Sequence, residues 1–435
     1  MKYKVLLITN EYNEELLKKL NSDFVVDCLN KDIVENIDKN NIKYLDYKNY
    51  IKNYQSLDEL IEVLDKYRDY SFILSYKELK NDKYCNVNDF ISDDINLKKY
   101  ELKKLNLLIA GHDLKFINGI IPMLKQSFNI ETIENSDYLV IDKKKYKEAI
   151  MSCDIVWCEW LVDNAVWFSN NLLSHQRLII RAHRFELFKN YGYKLNMDNV
   201  EKIITVGYYY YEEFIKKFSI PRCKMTIIPN FIDTKKYTTD KVKDYKKNIA
   251  IIGTLPKRKG FHRALEVLFE LKKLDKDYKL HVLGLNQNDL SSTKFDKEEA
   301  SYYEQILRDI KVFNLEEDVV FTGWVDTKKY LKNIGYVLSV SDNEKPESFH
   351  LTPAEGLVSG ALALATYWQG IEYIYPDYII KKDVREIVDT IVELETDDKK
   401  YQKLVNDGRN FIIDNYDIEV VYKYFMNLLE GYYER

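Results

Sequence analysis

Residues 248–283 read NIAIIGTLPKRKGFHRALEVLFELKKLDKDYKLHVL, and this stretch decides the fold. Asn248–Ile252 is a short apolar, β-branched run that stops at Gly253, as a strand entering a turn does. From Arg263 to Leu274 the period changes: Ala264, Leu265, Leu268, Leu271 and Leu274 fall on one face of a helix. Lys279–Leu283 reads as a strand again. Strand, helix and strand in so short a span make the repeating unit of a parallel sheet covered by helices.

The same alternation extends in both directions. Downstream, strands are expected at Val319–Phe321, Gly335–Val340 and Leu362–Ala365, with Gly284, Gly323 and Gly360 at or beside element ends. Upstream, Tyr3–Thr9, Phe24–Leu29, Phe72–Ser75, Asn106–Ala110, Asp154–Trp157, Leu178–Ala182, Lys202–Val206 and Met225–Ile228 read as strands, and Leu57–Tyr67 as an amphipathic helix. A chain of 435 residues exceeds what one core usually serves. The polar segment Asp233–Lys247 separates the halves and reads as a linker. The expected order is an N-terminal α/β extension or appended module over 1–100, a Rossmann-like domain over 101–237, a second over 238–417, and a closing helix over 418–435 that packs back toward the first.

A formal net charge of -5 gives no reason to expect nucleic-acid binding. No stretch approaches the roughly 20 apolar residues that span a bilayer, and Val5–Ile8 is too short for a signal-peptide core. A cytoplasmic chain is expected, with any membrane contact peripheral and at the inner face. Cys28, Cys85, Cys153, Cys158 and Cys223 are odd in number and lack the spacing of a zinc or redox motif, so free thiols in a reducing compartment are expected. No metal site is expected either: Asp275-Lys-Asp277 is a D-x-D match, but it lies at a charged helix end.

The chemistry concentrates in Glu347-Ser-Phe-His-Leu-Thr-Pro-Ala-Glu355, after a strand and a short polar loop. Proline is favoured in a first helical turn, so the loop is expected to enter a helix at about Thr352. The amides of such a helix start favour an anion such as a diphosphate. Glu347 then sits in the loop and Glu355 one turn into the helix; a solvated helix start is the bland alternative. Lys257-Arg-Lys-Gly260 follows the Gly253-ended strand. There Arg258 and Lys259 suit a diphosphate, against the alternative of a solvated basic turn.

In the N-terminal half, Gly111, His112, Asp113 and Lys115 follow a strand, at the sheet end where open α/β sheets bind ligands. A helix-capping turn at Asp113 is the alternative. His183 likewise ends a strand, and Glu159 and Trp160 lie in a stretch, Trp157 to Trp167, whose aromatics either stack a ligand or fill the core.

Glu347 through Glu355 resembles the E-x7-E motif of the retaining GT-B glycosyltransferases grouped as family 4, the glycosyltransferase group 1 type. Ile227-Ile-Pro-Asn-Phe-Ile-Asp233 resembles that family's "IPNG(V/I)D", Ile251 to Gly260 its "VGRL…KG" loop, and Val320-Phe-Thr-Gly323 its "V-x-F-x-G". The resemblance runs from about residue 200 to the end and thinly over 105–200. It implies two Rossmann-like domains facing a cleft, and transfer of a hexose-type sugar from a nucleotide-sugar, UDP-sugar first among them, to a glycan or lipid-linked acceptor in surface polysaccharide synthesis. No further cofactor is implied. Position by position, Glu347 matches the residue expected on donor-sugar hydroxyls and Glu355 the one on the ribose. The Phe349, His350, Leu351 and Thr352 amides would face the diphosphate, beside Gly253 and Thr254. Lys259 would neutralise the leaving group, and His183 would lie near the reacting sugar. Thr254 stands where the family usually has arginine, so Arg258 is the candidate replacement; Phe231 and His350 stand where it often has glycine. A catalytically silent GT-B-like scaffold and a nucleotide-sugar epimerase are the alternatives.

Overall fold

A computed structural model describes residues 2–8, 14–20, 24–29, 42–44, 57–68, 70–75, 79, 83–91, 102–173, 175–284, 297–343 and 346–431. The chain divides into two compact units. One comprises Met1–Thr205, Glu213–Thr226 and Phe425–Arg435; the other comprises Val206–Glu212 and Ile227–Tyr424.

The first unit holds two sheets. Strands β1 (Tyr3–Ile8), β2 (Phe24–Cys28), β3 (Ile42–Tyr44), β4 (Phe72–Ser75) and β5 (Tyr84–Asn86) form a parallel sheet ordered β3-β2-β1-β4-β5. Its two faces are buried by separate clusters, Val5, Leu7, Phe24 and Phe72 on one side and Leu6, Ile61, Leu64 and Ile73 on the other. Neighbouring strand residues thus alternate between faces, as the two-residue strand period requires.

Strands β6 (Leu105–Gly111), β7 (Phe128–Glu134), β8 (Ile155–Glu159), β9 (Arg177–Arg181), β10 (Lys202–Thr205) and β11 (Met225–Ile227) form the second sheet, ordered β11-β10-β9-β8-β6-β7. Buried ion pairs join the two sheets: Arg68 lies 3.0 Å from Asp27 and 2.6 Å from Asp154, and Lys4 lies 2.7 Å from Asp154. The N-terminal segment therefore has its own sheet and is fastened to the second through charges that a composition reading places at the surface. At the chain's other end, Phe425 stacks on Trp157 with centroids 5.1 Å apart, and Arg177 donates to the carbonyls of Leu428 and Leu429.

The second unit is built on β12 (Asn248–Ile252), β13 (Lys279–Leu283), β14 (Val319–Gly323), β15 (Tyr336–Ser339), β16 (Leu362–Thr366) and β17 (Ile380–Lys381), in the order β14-β13-β12-β15-β16-β17. All five pairings are parallel. This is the doubly wound order of a Rossmann sheet, in which winding reverses between the first and fourth strands, here β12 and β15. Helix Phe261–Leu274 buries Ala264, Leu265, Leu268 and Leu271 as its periodicity requires, while Leu274 stays exposed.

Asp233–Lys247 is not a free linker. Tyr237 is buried and donates to Glu355, and the buried ammonium of Lys241 donates to the carbonyls of Leu331 and Ile334. The segment lies within the second unit, anchored to its core by Tyr237. None of the five cysteines is in a disulfide; Cys28, Cys85, Cys153 and Cys158 are buried and Cys223 is exposed. No described helix is long and apolar enough to cross a membrane.

Candidate functional site

Open parallel sheets offer a crevice where the winding reverses, because the loops leaving those two strands turn to opposite faces. In the second unit these loops follow β12 and β15. The first carries Arg258 and Lys259, the second Glu347. Gly260 lets them meet: it has φ +75°, and a Cβ there would stand 2.0 Å from the carbonyl oxygen of Val340. The Asp342 amide also donates to the Arg258 carbonyl at 2.8 Å.

Glu347 Oε1 accepts from Arg258 Nη1 at 2.7 Å, Lys259 Nζ at 2.7 Å and Ser341 Oγ at 3.0 Å. Burial opposes ionisation of this carboxyl, but His350, Lys259 and Arg258 outweigh it and hold it well below the usual carboxylate range. Lys259 and Arg258 dominate at neutral pH, since burial pushes His350 itself down to about 3. Arg258 and Lys259 thus bring two cations to one carboxylate. Helix Leu351–Val358 starts immediately beyond, adding the partial charge of its free amides.

The side chains of Phe349, His350, Thr352 and Thr254 pack within the unit, which leaves their expected backbone role untouched. The Phe349 ring is buried against Tyr375 and Tyr416. The two ring nitrogens of His350 engage Ser339 and Thr352 at 2.7 and 3.1 Å, which fixes the helix start. Thr352 is itself buried, so only backbone from this trio can meet a ligand. Thr254 is fully buried, accepts from Tyr303 through its carbonyl, and has no partner on its hydroxyl among the described residues. Leu351 is half-buried.

Glu355 accepts from Tyr237 and Thr327 at 2.8 and 3.0 Å. Burial raises its carboxyl despite these donors. Next to Thr327 opens a mostly apolar cavity of about 270 Å³, lined by Ile252, Gly253, Thr254, Leu283, Gly284, Trp324 and Val325 among others. Trp324, one of the lining residues, is 87% exposed. Sequence reading missed Tyr237, Thr327 and Trp324. Trp324 was within reach, since it directly follows the Val320–Gly323 motif.

In the first unit the winding of the second sheet reverses between β6 and β8. Gly111 ends β6, and a Cβ there would come within 2.9 Å of the Glu159 carbonyl. Trp160 follows with φ +75°, a left-handed conformation that costs a non-glycine residue about 1–2 kcal/mol. That conformation lets its indole donate to the Asp113 carbonyl at 2.7 Å and lie 4.1 Å from the His183 ring and 4.9 Å from His112. Phe116 stacks on His183 at 4.8 Å. Asp113 pairs with the exposed Lys115 at 2.6 Å.

Glu159 is fully buried. It accepts from Trp157 Nε1 and pairs with His183 Nε2, each at 2.9 Å, with Arg181 at 3.6 Å. Burial opposes its charge, but Arg181, His183 and Trp157 together hold it below the usual range. An ionised carboxylate only accepts, so His183 carries its proton on Nε2. Burial, against Glu159, keeps this ring below its ordinary value and therefore neutral near pH 7. Trp157 and Trp167 pack against Phe425 and Tyr146, so of the Trp-rich stretch only Trp160 joins the cluster. Asp275 of the D-x-D match pairs with Lys247. Among the described residues no group of three or more His, Cys, Asp or Glu could hold a metal.

Several solved structures share this fold. Anabaena Alr3699/HepE in complex with UDP and glucose is 12% identical, with a TM-score of 0.54 and coverage of 99% of this chain and 100% of that one. Sucrose-phosphate synthase from Thermosynechococcus elongatus is 13% identical, with a TM-score of 0.56 and coverage of 76% and 99%. The lipopolysaccharide outer core galactosyltransferase WaaB is 14% identical, with a TM-score of 0.51 and coverage of 75% and 99%. At such identities the likeness is one of fold. No curated protein sequence matches the chain significantly. Residues 233–411, which contain Arg258, Lys259, Glu347 and Glu355, match the family model of the glycosyl transferases group 1, and the sheets around them have the α/β architecture of GT-B glycosyltransferases.

Proposed function

We propose that this protein is a retaining glycosyltransferase that moves a hexose-type sugar from a nucleoside-diphosphate sugar to a glycan or lipid-linked acceptor. The observation that carries the reading is the Arg258–Glu347–Lys259 cluster at the β12/β15 winding reversal, within the segment that matches the group 1 family. UDP-sugars are the first donors to test, since HepE is bound to UDP and glucose.

In this reading the diphosphate takes over Arg258 and Lys259 and lies against the start of helix Leu351–Val358. Glu347, relieved of part of its ion pairing, turns to the sugar hydroxyls. Glu355 and Thr327 hold the ribose, and the cavity under Trp324 receives the base. As the bond between the anomeric carbon and the phosphate oxygen breaks, the leaving group gains charge that the two cations and the helix start stabilise. The bond to the acceptor oxygen forms on the same face, and the acceptor proton passes to the departing phosphate oxygen. His183, neutral and fixed by Glu159, orients a hydroxyl rather than supplying charge. The scheme assigns no role to a metal, because Arg258 and Lys259 already compensate the leaving group. Proton NMR of the first-formed product tests stereochemistry: an axial donor linkage should give an axial product, and inversion would contradict the scheme.

A further inference from the structure

One surface of the first unit combines large exposed apolar side chains with clustered cations. Leu139 is 60% exposed, Val140 54% and Phe188 57%, and Phe185 is also exposed. They form one patch: the Tyr138 ring meets Phe185 edge-on at 5.4 Å, the Lys189 ammonium lies 4.8 Å from the Phe185 ring, and the Arg184 guanidinium 5.5 Å from Phe188. Leu139 and Val140 continue from Tyr138. The adjoining helix Lys143–Ile150 buries Tyr146, Ala149 and Ile150 and turns Lys143, Lys144, Lys145 and Lys147 to solvent.

Three exposed acids lie among these cations, Asp137, Asp142 and Glu148. Asp142 accepts from the amides of Lys144 and Lys145, and Asp137 from the amide of Leu139. Glu186 is buried, and burial pushes its carboxyl up to about 8, so it is largely uncharged at neutral pH. Lys143, Lys144, Lys145, Lys147, Arg184 and Lys189 outnumber Asp137, Asp142 and Glu148, so the patch carries a net positive charge on a chain whose net charge is -5. Apolar side chains ringed by lysine and arginine fit the boundary between acyl chains and anionic headgroups.

We infer that the surface formed by Leu139, Val140, Phe185 and Phe188, with the lysines of helix Lys143–Ile150, docks on a bilayer containing anionic lipid. The contact is peripheral and oriented: the charge of the chain as a whole opposes it, and this face favours it. Tyr138 also touches the His112 ring, with centroids 5.9 Å apart. The bilayer face thus adjoins the His112–Trp160–His183 cluster. A lipid-linked acceptor delivered there is a consequence that rests on the glycosyltransferase reading; the docking itself does not.

The test is sedimentation of the full chain with phosphatidylcholine vesicles and with mixed phosphatidylcholine–phosphatidylglycerol vesicles. The variants are Leu139→Ser/Phe188→Ser and Lys143→Glu/Lys144→Glu/Lys145→Glu. All these side chains are exposed, and unchanged circular dichroism and nucleotide affinity confirm that the variants fold. Binding to the mixed vesicles only, weakened by salt and lowered about tenfold or more in both variants, is expected. Equal binding to both vesicle types, variants that bind like the parent, or no binding to either vesicle overturns the proposal; in the last case the patch belongs to a protein partner.

Discussion

The Arg258 guanidinium stands 2.7 Å from the Glu347 carboxylate, bridging the two loops that leave β12 and β15 where the winding of the sheet reverses. Arg258 thereby supplies a cation at the site although Thr254, where the related family usually has arginine, is buried and uncharged. Charge-assisted hydrogen bonds are worth about 1.5–3 kcal/mol. Arg258→Ala is accordingly expected to weaken nucleotide-sugar binding by roughly tenfold to a hundredfold, with the fold intact because the side chain reaches solvent. Isothermal titration on the variant checks this; unchanged affinity would mean that Arg258 is a structural partner of Glu347 only.

Glu159 acts through His183. Glu159→Gln removes the carboxylate that fixes the proton on Nε2 and leaves Arg181 without its neighbouring charge. The expected result is a fall in kcat of about tenfold or more, with donor affinity in the other unit unchanged. A changed pH profile would accompany it, as loss of the Glu159 charge lowers the His183 ring further. Steady-state kinetics across pH, paired with calorimetry, separate this from general destabilisation, which would lower active protein without reshaping the profile.

Arg68 tests the join between the two N-terminal sheets. Its side chain lies between Asp27 and Asp154 and donates to the Cys153 carbonyl at 3.1 Å. Removing one partner of a buried ion pair costs about 3–5 kcal/mol. Arg68→Ala should therefore lower the denaturation midpoint markedly, and a chain lacking residues 1–101 should fold poorly, because Asp154 would lose both Arg68 and Lys4. Chemical denaturation of the variant measures the first effect; a midpoint like the parent's would show that the sheets are joined loosely.

Glu186 gives a pH dependence of defined sign. Burial raises its folded-state carboxyl from the ordinary 4.5 to about 8, although the amides of Leu161 and His183 donate to it. The folded state thus binds this proton more tightly than the unfolded state. Its contribution is complete below the ordinary value and is lost as the pH rises through about 8. Glu186→Gln keeps an acceptor and cannot ionise, so its Tm should gain on the parent's between about pH 5 and about pH 9. Parallel melting curves across that range would show no such divergence if the carboxylate is stable where it lies.

Much of this architecture was legible in the sequence, for reasons that vary by element. The strands and helix of residues 248–283 announced themselves by a clean change of period, and the Glu347–Glu355 spacing marked a loop entering a helix. β7 went unread because Phe128–Glu134 is an edge strand, mostly exposed, whose FNIETIE pattern lacks a sustained apolar face. Asp233–Lys247 looked like a linker because its composition is polar, yet Tyr237 and Lys241 find buried partners that only the folded chain supplies. Lys4 and Arg68 were unreadable for the same reason, since a charged residue is ordinarily solvated unless a distant partner takes it inside. At the site, the pairing of buried Glu159 with His183 could not be read from the sequence, because the two residues are 24 positions apart and meet only in the folded sheet.

The central claim is that the second unit binds a nucleoside-diphosphate sugar through Lys259 and Glu355. Calorimetric titration with UDP-, GDP-, ADP- and CDP-sugars, repeated on Lys259→Ala and Glu355→Ala, addresses it directly. Selective binding of one nucleotide, UDP-sugars first among them, and weaker binding in both variants is the expected result. Failure of every nucleotide-sugar to bind, or binding that neither substitution weakens, would contradict the donor-site assignment and favour a GT-B-like scaffold without transferase activity.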